Sequence, residues 1–123
     1  MRLVEEVVAH DPGVSARARR ATRPDDWFFQ GHFPGDPVVP AIVLVELVAQ
    51  TGGVAASRGG GHAMRVAALG AFKFPDSAGP GSTLEVSAHV VGRFGGLVKV
   101  KGEVLADGRT VASGSLTLAE RSP

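Results

Sequence analysis

Two residues near the middle of the chain, Glu46 and His32, have side chains that could perform acid–base chemistry. Glu46 interrupts a nearly continuous apolar run at residues 41–51. Burying a carboxylate is costly, and burial favours its protonated form, which can then donate a proton near neutral pH. His32 lies 14 residues earlier, in a glycine- and proline-rich segment. Each residue also has a structural interpretation: a glutamate that reaches solvent or a backbone N–H, and a histidine with no catalytic role.

Together these two side chains supply what β-elimination of water requires. An imidazole base removes a proton α to a carbonyl, and a carboxylic acid protonates the departing hydroxyl. Gln50 lies four residues after Glu46, on the same face of a helix, and could hold the carboxyl group by a hydrogen bond. A helix beginning at Pro40, Ala41 and Ile42 would present free backbone N–H groups suited to a developing enolate oxygen.

The pattern of apolar residues predicts the elements that position these groups. Residues 14–22 alternate between small or apolar and polar side chains, which predicts a half-exposed strand. Three prolines and two glycines at residues 31–40 exclude a regular helix or central strand, and the aromatic residues nearby indicate a loop held over a core. Residues 41–51 predict a helix with Pro40 at its first position, weakened by the Gly52-Gly53 pair.

The second half of the chain changes to the periodicity of strands. Asp107-Gly108 is a strong hairpin signal between two of these strands. We therefore expect one strand, one long buried helix and then a meander of antiparallel strands. Such a sheet covers one side of the helix, so a partner subunit or further wrapping must cover the rest. The strand-like runs are residues 64–74, 82–93, 97–105 and 110–118.

Composition limits the classes of function. A length of 123 residues predicts a single domain over residues 1–123, and a net charge of +1 gives no support for nucleic-acid binding. The absence of cysteine excludes disulfides and thiolate metal sites. No apolar run is long enough to span a bilayer and the first ten residues do not form a signal peptide, so we expect a soluble, cytoplasmic protein. His10, His62 and His89 are far apart in sequence, so they predict no zinc site.

Several motifs resemble those of the 3-hydroxyacyl-acyl-carrier-protein dehydratases of fatty-acid synthesis, the FabZ type. Residues 28–40 read Phe-Phe-Gln-Gly-His-Phe-Pro-Gly-Asp-Pro-Val-Val-Pro, and residues 46–50 read Glu-Leu-Val-Ala-Gln. Residues 72–75, Phe-Lys-Phe-Pro, and 80–84, Pro-Gly-Ser-Thr-Leu, are similar to two further motifs of that family. The resemblance covers most of the chain, and its first block is long and gapless.

The resemblance implies an α+β hot-dog fold, a long helix wrapped by a curved antiparallel sheet. It implies a homodimer, or a dimer of related subunits, in which each site combines His32 of one subunit with Glu46 of the other. The substrate would be a 3-hydroxyacyl thioester on the phosphopantetheine of an acyl carrier protein, converted to a trans-2-enoyl thioester without a metal or diffusible cofactor. The expected substrate-binding residues are Gly31, Phe33, Pro40, Ala41, Ile42 and Gln50.

Three departures from the family pattern leave other functions open. Ala41 replaces a family glycine, Ser82 replaces an aspartate, and the chain has no tyrosine to gate an acyl tunnel. These features suggest a specialised relative, such as a polyketide or aryl-polyene dehydratase, as well as a fatty-acid enzyme. The alternatives are a hot-dog thioesterase and a catalytically silent subunit that pairs with an active one.

Basic residues are candidates for docking an acidic carrier protein. The stretch before the aromatic loop holds four arginines, and its other interpretation is a solvated strand face. The six docking candidates are Arg17, Arg19, Arg20, Arg23, Lys73 and Arg93.

Overall fold

The computed structural model describes residues 2–31, 35–58 and 64–120. No helix in this described part of the chain is long and apolar enough to cross a membrane. The elements in order are β1 (Glu6–Asp11), β2 (Ser15–Ala21), a 3₁₀ helix (Trp27–Phe29), α1 (Ala41–Ala56), β3 (Met64–Lys73), β4 (Thr83–Phe94), β5 (Leu97–Ala106) and β6 (Arg109–Glu120).

The six strands form one antiparallel sheet in the order β1-β2-β4-β5-β6-β3. The predicted turn is present: Asp107 and Gly108 have φ values of 49° and 84°, and they join Ala106 to Arg109. Positive φ values at both central residues are typical of a type I′ turn, whose twist matches that of the two strands it joins.

Two predictions about the sheet are wrong. The expectation of a single strand before the helix missed β1, which is exposed along nearly its whole length and therefore carries no alternating pattern. The expected meander holds only for β4, β5 and β6, because β3 crosses to the far edge of the sheet and pairs with β6. Its side chains are almost all exposed on both faces, so periodicity could not indicate its position in the sheet.

Helix α1 begins at Ala41, as predicted, with Pro40 as its N-cap rather than its first residue. It continues five residues beyond the apolar run at residues 41–51, through the weakening Gly52-Gly53 pair to Ala56. Glycine lowers helix propensity by about 1 kcal/mol, but tertiary packing overrides propensity where the added turns are buried. Ala55 and Ala56 are 0% and 2% exposed, so the last turn is held by burial.

The core lies between one side of α1 and the inner face of the sheet. Leu47 and Val48 of the helix are fully buried, as are Leu84 and Val100 of the facing strands. The first turn of the helix is open in the single chain, where Ala41 is exposed and Ile42 is 77% exposed. This arrangement, one helix against a six-stranded antiparallel sheet, is the expected α+β hot-dog fold.

Candidate active site

The start of helix α1 is an open end that presents backbone donors. The Pro40 carbonyl accepts hydrogen bonds from the N–H groups of Val43 and Leu44, at 3.0 and 3.3 Å. The two earlier N–H groups, of Ala41 and Ile42, have no partner within the helix, and both residues are exposed. A partial positive charge at this end favours an oxygen that gains negative charge.

Glu46 lies one turn further along the face of the helix that carries Ile42. Its side chain is partly buried in the single chain, and its Oε2 accepts a hydrogen bond from Nε2 of Gln50 at 3.0 Å. The predicted contact between these two residues is therefore present. It holds one carboxyl oxygen against the helix surface.

Glu46 contributes to the wall of an apolar cleft of about 360 Å³. Leu3, Trp27, Ile42 and Val43 form the rest of its lining. Leu3, Trp27 and Val43 are not among the site residues predicted from the sequence. Trp27 had a usable signal, since it directly precedes the aromatic motif, whereas nothing in the local sequence marks Leu3.

A buried ion pair holds the 3₁₀ helix that carries Trp27. Arg20 is on the inner face of β2, and its guanidinium contacts the Asp26 carboxylate at 2.5 Å and lies 5.5 Å from the centre of the Phe28 ring. The Arg20 and Asp26 side chains are only 11% and 12% exposed. Asp26 also accepts the Arg23 N–H at 2.7 Å. These contacts fix the path by which the chain leaves β2 and enters the aromatic motif.

Glu5 adds an electrostatic contact between the segment before β1 and the end of β2. Its carboxylate contacts the Arg23 guanidinium at 2.9 Å and accepts the Ala21 N–H at 3.0 Å. The hydrogen bond from Arg23 is the main cause that holds the pKa of Glu5 below its usual value of 4.5.

Loop residues on the other side hold the segment that leads into α1. The Val39 N–H donates to the Ala78 carbonyl at 2.8 Å. Thr22 and Ser82 bond reciprocally: the Thr22 N–H donates to the Ser82 carbonyl at 2.8 Å, and the Ser82 N–H donates to Thr22 Oγ1 at 2.9 Å. Ser82 takes part in both of these bonds through its backbone.

Some predicted site residues lie outside the described part of the chain. His32 and Phe33 are among these, so the structure gives no distance between His32 and Glu46. Gly31, directly before them, is exposed and has a φ of 75°, a conformation that favours glycine.

The six docking candidates do not form one patch. Arg20 is buried against Asp26, and Arg93 donates to the Ala56 carbonyl at 2.5 Å, at the end of α1 remote from the cleft.

The other four candidates are on different parts of the surface. Arg17 and Arg19 are on the outer face of β2, where Arg19 contacts Glu6 at 3.1 Å. Lys73 ends the edge strand β3. Arg23, with its side chain 52% exposed, is four residues before Trp27 on the cleft side.

Two histidines that are far apart in sequence line the same cleft. His10 on β1 and His89 on β4 are both exposed and line one shallow cleft with Ser15 and Arg17. Both lie on strands rather than in loops. His62 lies outside the described residues.

Comparison with known proteins agrees with the motifs. Residues 1–115 match a family model described as a FabA-like domain. The chain is 36% identical over 117 residues to the 3-hydroxyacyl-[acyl-carrier-protein] dehydratase FabZ of Anaeromyxobacter sp., covering 89% of this chain and 74% of that protein. It is 32% identical over 120 residues to the FabZ of Ruminiclostridium cellulolyticum, covering 95% and 84% respectively.

Solved structures share the fold. The dehydratase heterocomplex ApeI:P from Xenorhabdus doucetiae aligns with a TM-score of 0.79 at 15% identity, over 98% of this chain and 84% of that chain. The PaaI protein of the Escherichia coli phenylacetic acid degradation operon aligns with a TM-score of 0.73 at 17% identity, over 93% and 81%. At these identities the likeness establishes the fold alone.

Proposed function

The chain belongs to the family of 3-hydroxyacyl-acyl-carrier-protein dehydratases, and we propose that it removes water from 3-hydroxyacyl thioesters carried by an acyl carrier protein. The product is a trans-2-enoyl thioester, as fatty-acid or polyketide-type biosynthesis requires. The observation that carries the proposal is the position of Glu46. This carboxyl group lines an apolar cleft one turn from the free N–H groups of a helix start.

The proposed reaction uses three groups of the protein. His32 takes the proton from the carbon next to the thioester carbonyl, and Glu46 protonates the hydroxyl that leaves from the neighbouring carbon as water. The Ala41 and Ile42 N–H groups donate to the thioester oxygen as negative charge develops on it. Acid and base are both side chains, so the reaction uses no diffusible cofactor.

We propose that the active species is a dimer with two composite sites. The exposed first turn of α1 carries Ile42 at 77% exposure, and the edge strand β3 carries Leu69 at 64% exposure. An unpaired edge strand and exposed apolar side chains such as these are features that a second copy would cover. His32 from one subunit would then complete the site that holds Glu46 of the other.

The activity is tested by incubating the protein with a 3-hydroxyacyl thioester while following enoyl absorbance and free thiol together. Enoyl without thiol supports the dehydratase, whereas thiol without enoyl identifies a thioesterase. No product from thioesters of any chain length on a cognate carrier identifies a silent subunit. Trp27, the only tryptophan of the chain, lines the cleft, so its fluorescence should change when an acyl thioester binds.

Variants test the two catalytic assignments. His32→Ala and Glu46→Gln should each lower kcat by about 10²–10⁴-fold, the contribution of one general acid or base. The matched controls are His89→Ala and Glu85→Gln, which change the same residue types on the exposed outer face of β4. A near-normal rate for either site variant, on a substrate that the wild type dehydrates, contradicts the assignment.

Subunit mixing tests the composite site. In an equal mixture of exchanged His32→Ala and Glu46→Gln subunits, half of the dimers are mixed and each has one intact site, so on the order of a quarter of wild-type activity should return. No recovery after confirmed exchange would place both residues in the same chain.

We propose Arg23 as the carrier-docking cation, because it is exposed beside the element that carries Trp27. Attraction between this cation and an acidic carrier speeds encounter and weakens with salt. Arg23→Glu should therefore raise KM for carrier-bound substrate but not for a small thioester mimic. Arg17→Glu, on the outer sheet face, is the control, and equal effects of Arg23→Glu on both substrates would contradict the proposal.

A further inference from the structure

The segment before β1 is buried although it belongs to no strand. Leu3 is 3% and Val4 6% exposed, while most of β1 is exposed. The backbone N–H groups of both residues donate to one side-chain oxygen, Oε1 of Gln50, at 2.8 and 3.1 Å. These contacts join the beginning of the chain to the middle of α1, 46 and 47 residues away in sequence.

Two backbone donors on one side determine how the Gln50 amide is oriented. An amide has an oxygen that accepts and a nitrogen that donates, so a rotated amide would face the Leu3 and Val4 N–H groups with its own N–H₂. Both buried backbone donors would then lose their acceptor. The Gln50 nitrogen must therefore point away from Leu3 and Val4, and it donates to Glu46 Oε2 at 3.0 Å.

This orientation makes the two oxygens of Glu46 unequal. Oε2 accepts the Gln50 N–H, and the carbonyl oxygen of a protonated carboxyl group is a better acceptor than its hydroxyl oxygen. When Glu46 acts as an acid, its proton is therefore favoured on Oε1, the oxygen that does not accept from Gln50.

We propose that Gln50 is a positioning residue for Glu46, and that the backbone of Leu3 and Val4 holds its amide in the working orientation. The proposal rests on the proposed dehydratase function, in which Glu46 is the acid. It assigns to the first residues of the chain a role in catalysis that acts through a hydrogen-bond relay rather than through contact with substrate.

Two substitutions separate anchoring from positioning. Gln50→Glu keeps an acceptor for the Leu3 and Val4 N–H groups but replaces the amide N–H₂ with a second carboxyl group beside Glu46, whereas Gln50→Met can neither accept from Leu3 and Val4 nor donate to Glu46. Both should lower kcat by about 10- to 100-fold with KM changed much less, because a misplaced acid slows the chemical step more than binding. Glu5→Gln, which loosens the same segment without touching Gln50, is the control and should keep its kcat.

The backbone part of the relay is tested at Leu3. Leu3→Pro removes the N–H that bonds Gln50, whereas Leu3→Ala trims the side chain that lines the cleft and keeps the N–H. We expect Leu3→Pro to lower kcat and Leu3→Ala to act mainly on KM. Unfolding curves of both variants show whether a lower kcat results only from a smaller fraction of folded protein.

A readout independent of turnover is the NMR signal of the Gln50 side-chain amide. Its proton resonances should shift in Glu46→Ala and in Leu3→Pro, and unchanged resonances would overturn the relay. An active wild type whose Gln50→Met variant keeps its kcat overturns this proposal alone, since neither hydrogen bond of Gln50 would then be needed for catalysis. A wild type that dehydrates no thioester overturns the proposed function and this role together.

Discussion

Alanine substitutions at two adjacent glycines of α1 should change stability in opposite directions. A Cβ added to Gly52 would lie 2.9 Å from Cγ1 and 3.3 Å from Cγ2 of Val100 on β5. A Cβ added to Gly53 would meet no heavy atom within 4 Å. The two positions share a helix turn, so they differ mainly in how closely the sheet approaches them.

The magnitudes follow from two effects. Alanine stabilises a helix interior by about 1 kcal/mol relative to glycine, and this applies to both sites. At Gly52 the new methyl group also overpacks the core, at a cost of about 1–3 kcal/mol. Val100 is fully buried and β-branched, so it cannot turn aside easily. Gly53→Ala should therefore gain about 1 kcal/mol, and Gly52→Ala should range from neutral to about 2 kcal/mol less stable.

Thermal unfolding followed by circular dichroism measures the difference. A change of 1 kcal/mol shifts Tm by roughly 4 °C in a chain of this size, so the two variants should differ by about 4–12 °C. All samples need the same protein concentration, because association contributes to apparent stability. Equal shifts in Tm for the two variants would refute the close approach of α1 to β5.

Three further predictions concern the surroundings of the site. Asp26→Ala should cost up to about 3–5 kcal/mol in urea unfolding, since it removes the nearer carboxylate from the buried Arg20 charge and leaves only Glu5 at 3.6 Å, whereas Arg20→Met should cost less; equal costs would contradict this. Because the pKa of Glu5 is lowered in the folded state, its carboxylate stabilises the fold above pH 4.5, and this stabilisation is lost as the pH falls further. The free energy of unfolding of Glu5→Gln should therefore be closest to that of the wild type in acid. A difference between the two free energies that stays constant from pH 7 to 3 would refute this. Ala41→Gly should lower Tm slightly, by the equivalent of about 0.5–1 kcal/mol, and leave kcat unchanged or higher, because the N–H is retained. A fall in kcat of about 10²-fold would show that the oxyanion site is misplaced.

Local sequence was sufficient to predict the structural features that depend on a few neighbouring residues. Helix α1 and its start at Ala41 follow from Pro40 and the apolar run after it, and the Asp107-Gly108 turn follows from the backbone preferences of its two residues. The contact between Glu46 and Gln50 follows from a spacing of four residues on one helix. Each of these features depends on residues that lie within about four positions of one another. At that range the distance in sequence determines the distance in space.

Features that depend on partners far along the chain were decided only by the tertiary structure. The basic stretch was interpreted either as a solvated strand face or as a docking patch, but Arg20 is buried, because Asp26 supplies it with a carboxylate and Phe28 with an aromatic face. The crossing of β3 to the edge beside β6 has no signal in its own exposed residues.

The beginning of the chain is the clearest example of a feature that local sequence could not predict. Leu3 and Val4 form an ordinary apolar pair in the sequence, with no motif and no periodicity. Their place at the candidate site depends on the Gln50 oxygen, which only the packing of α1 brings within hydrogen-bond distance. The sequence by itself determined which side chains could do the chemistry; long-range packing determined which groups hold them, because those contacts join residues that no local pattern connects.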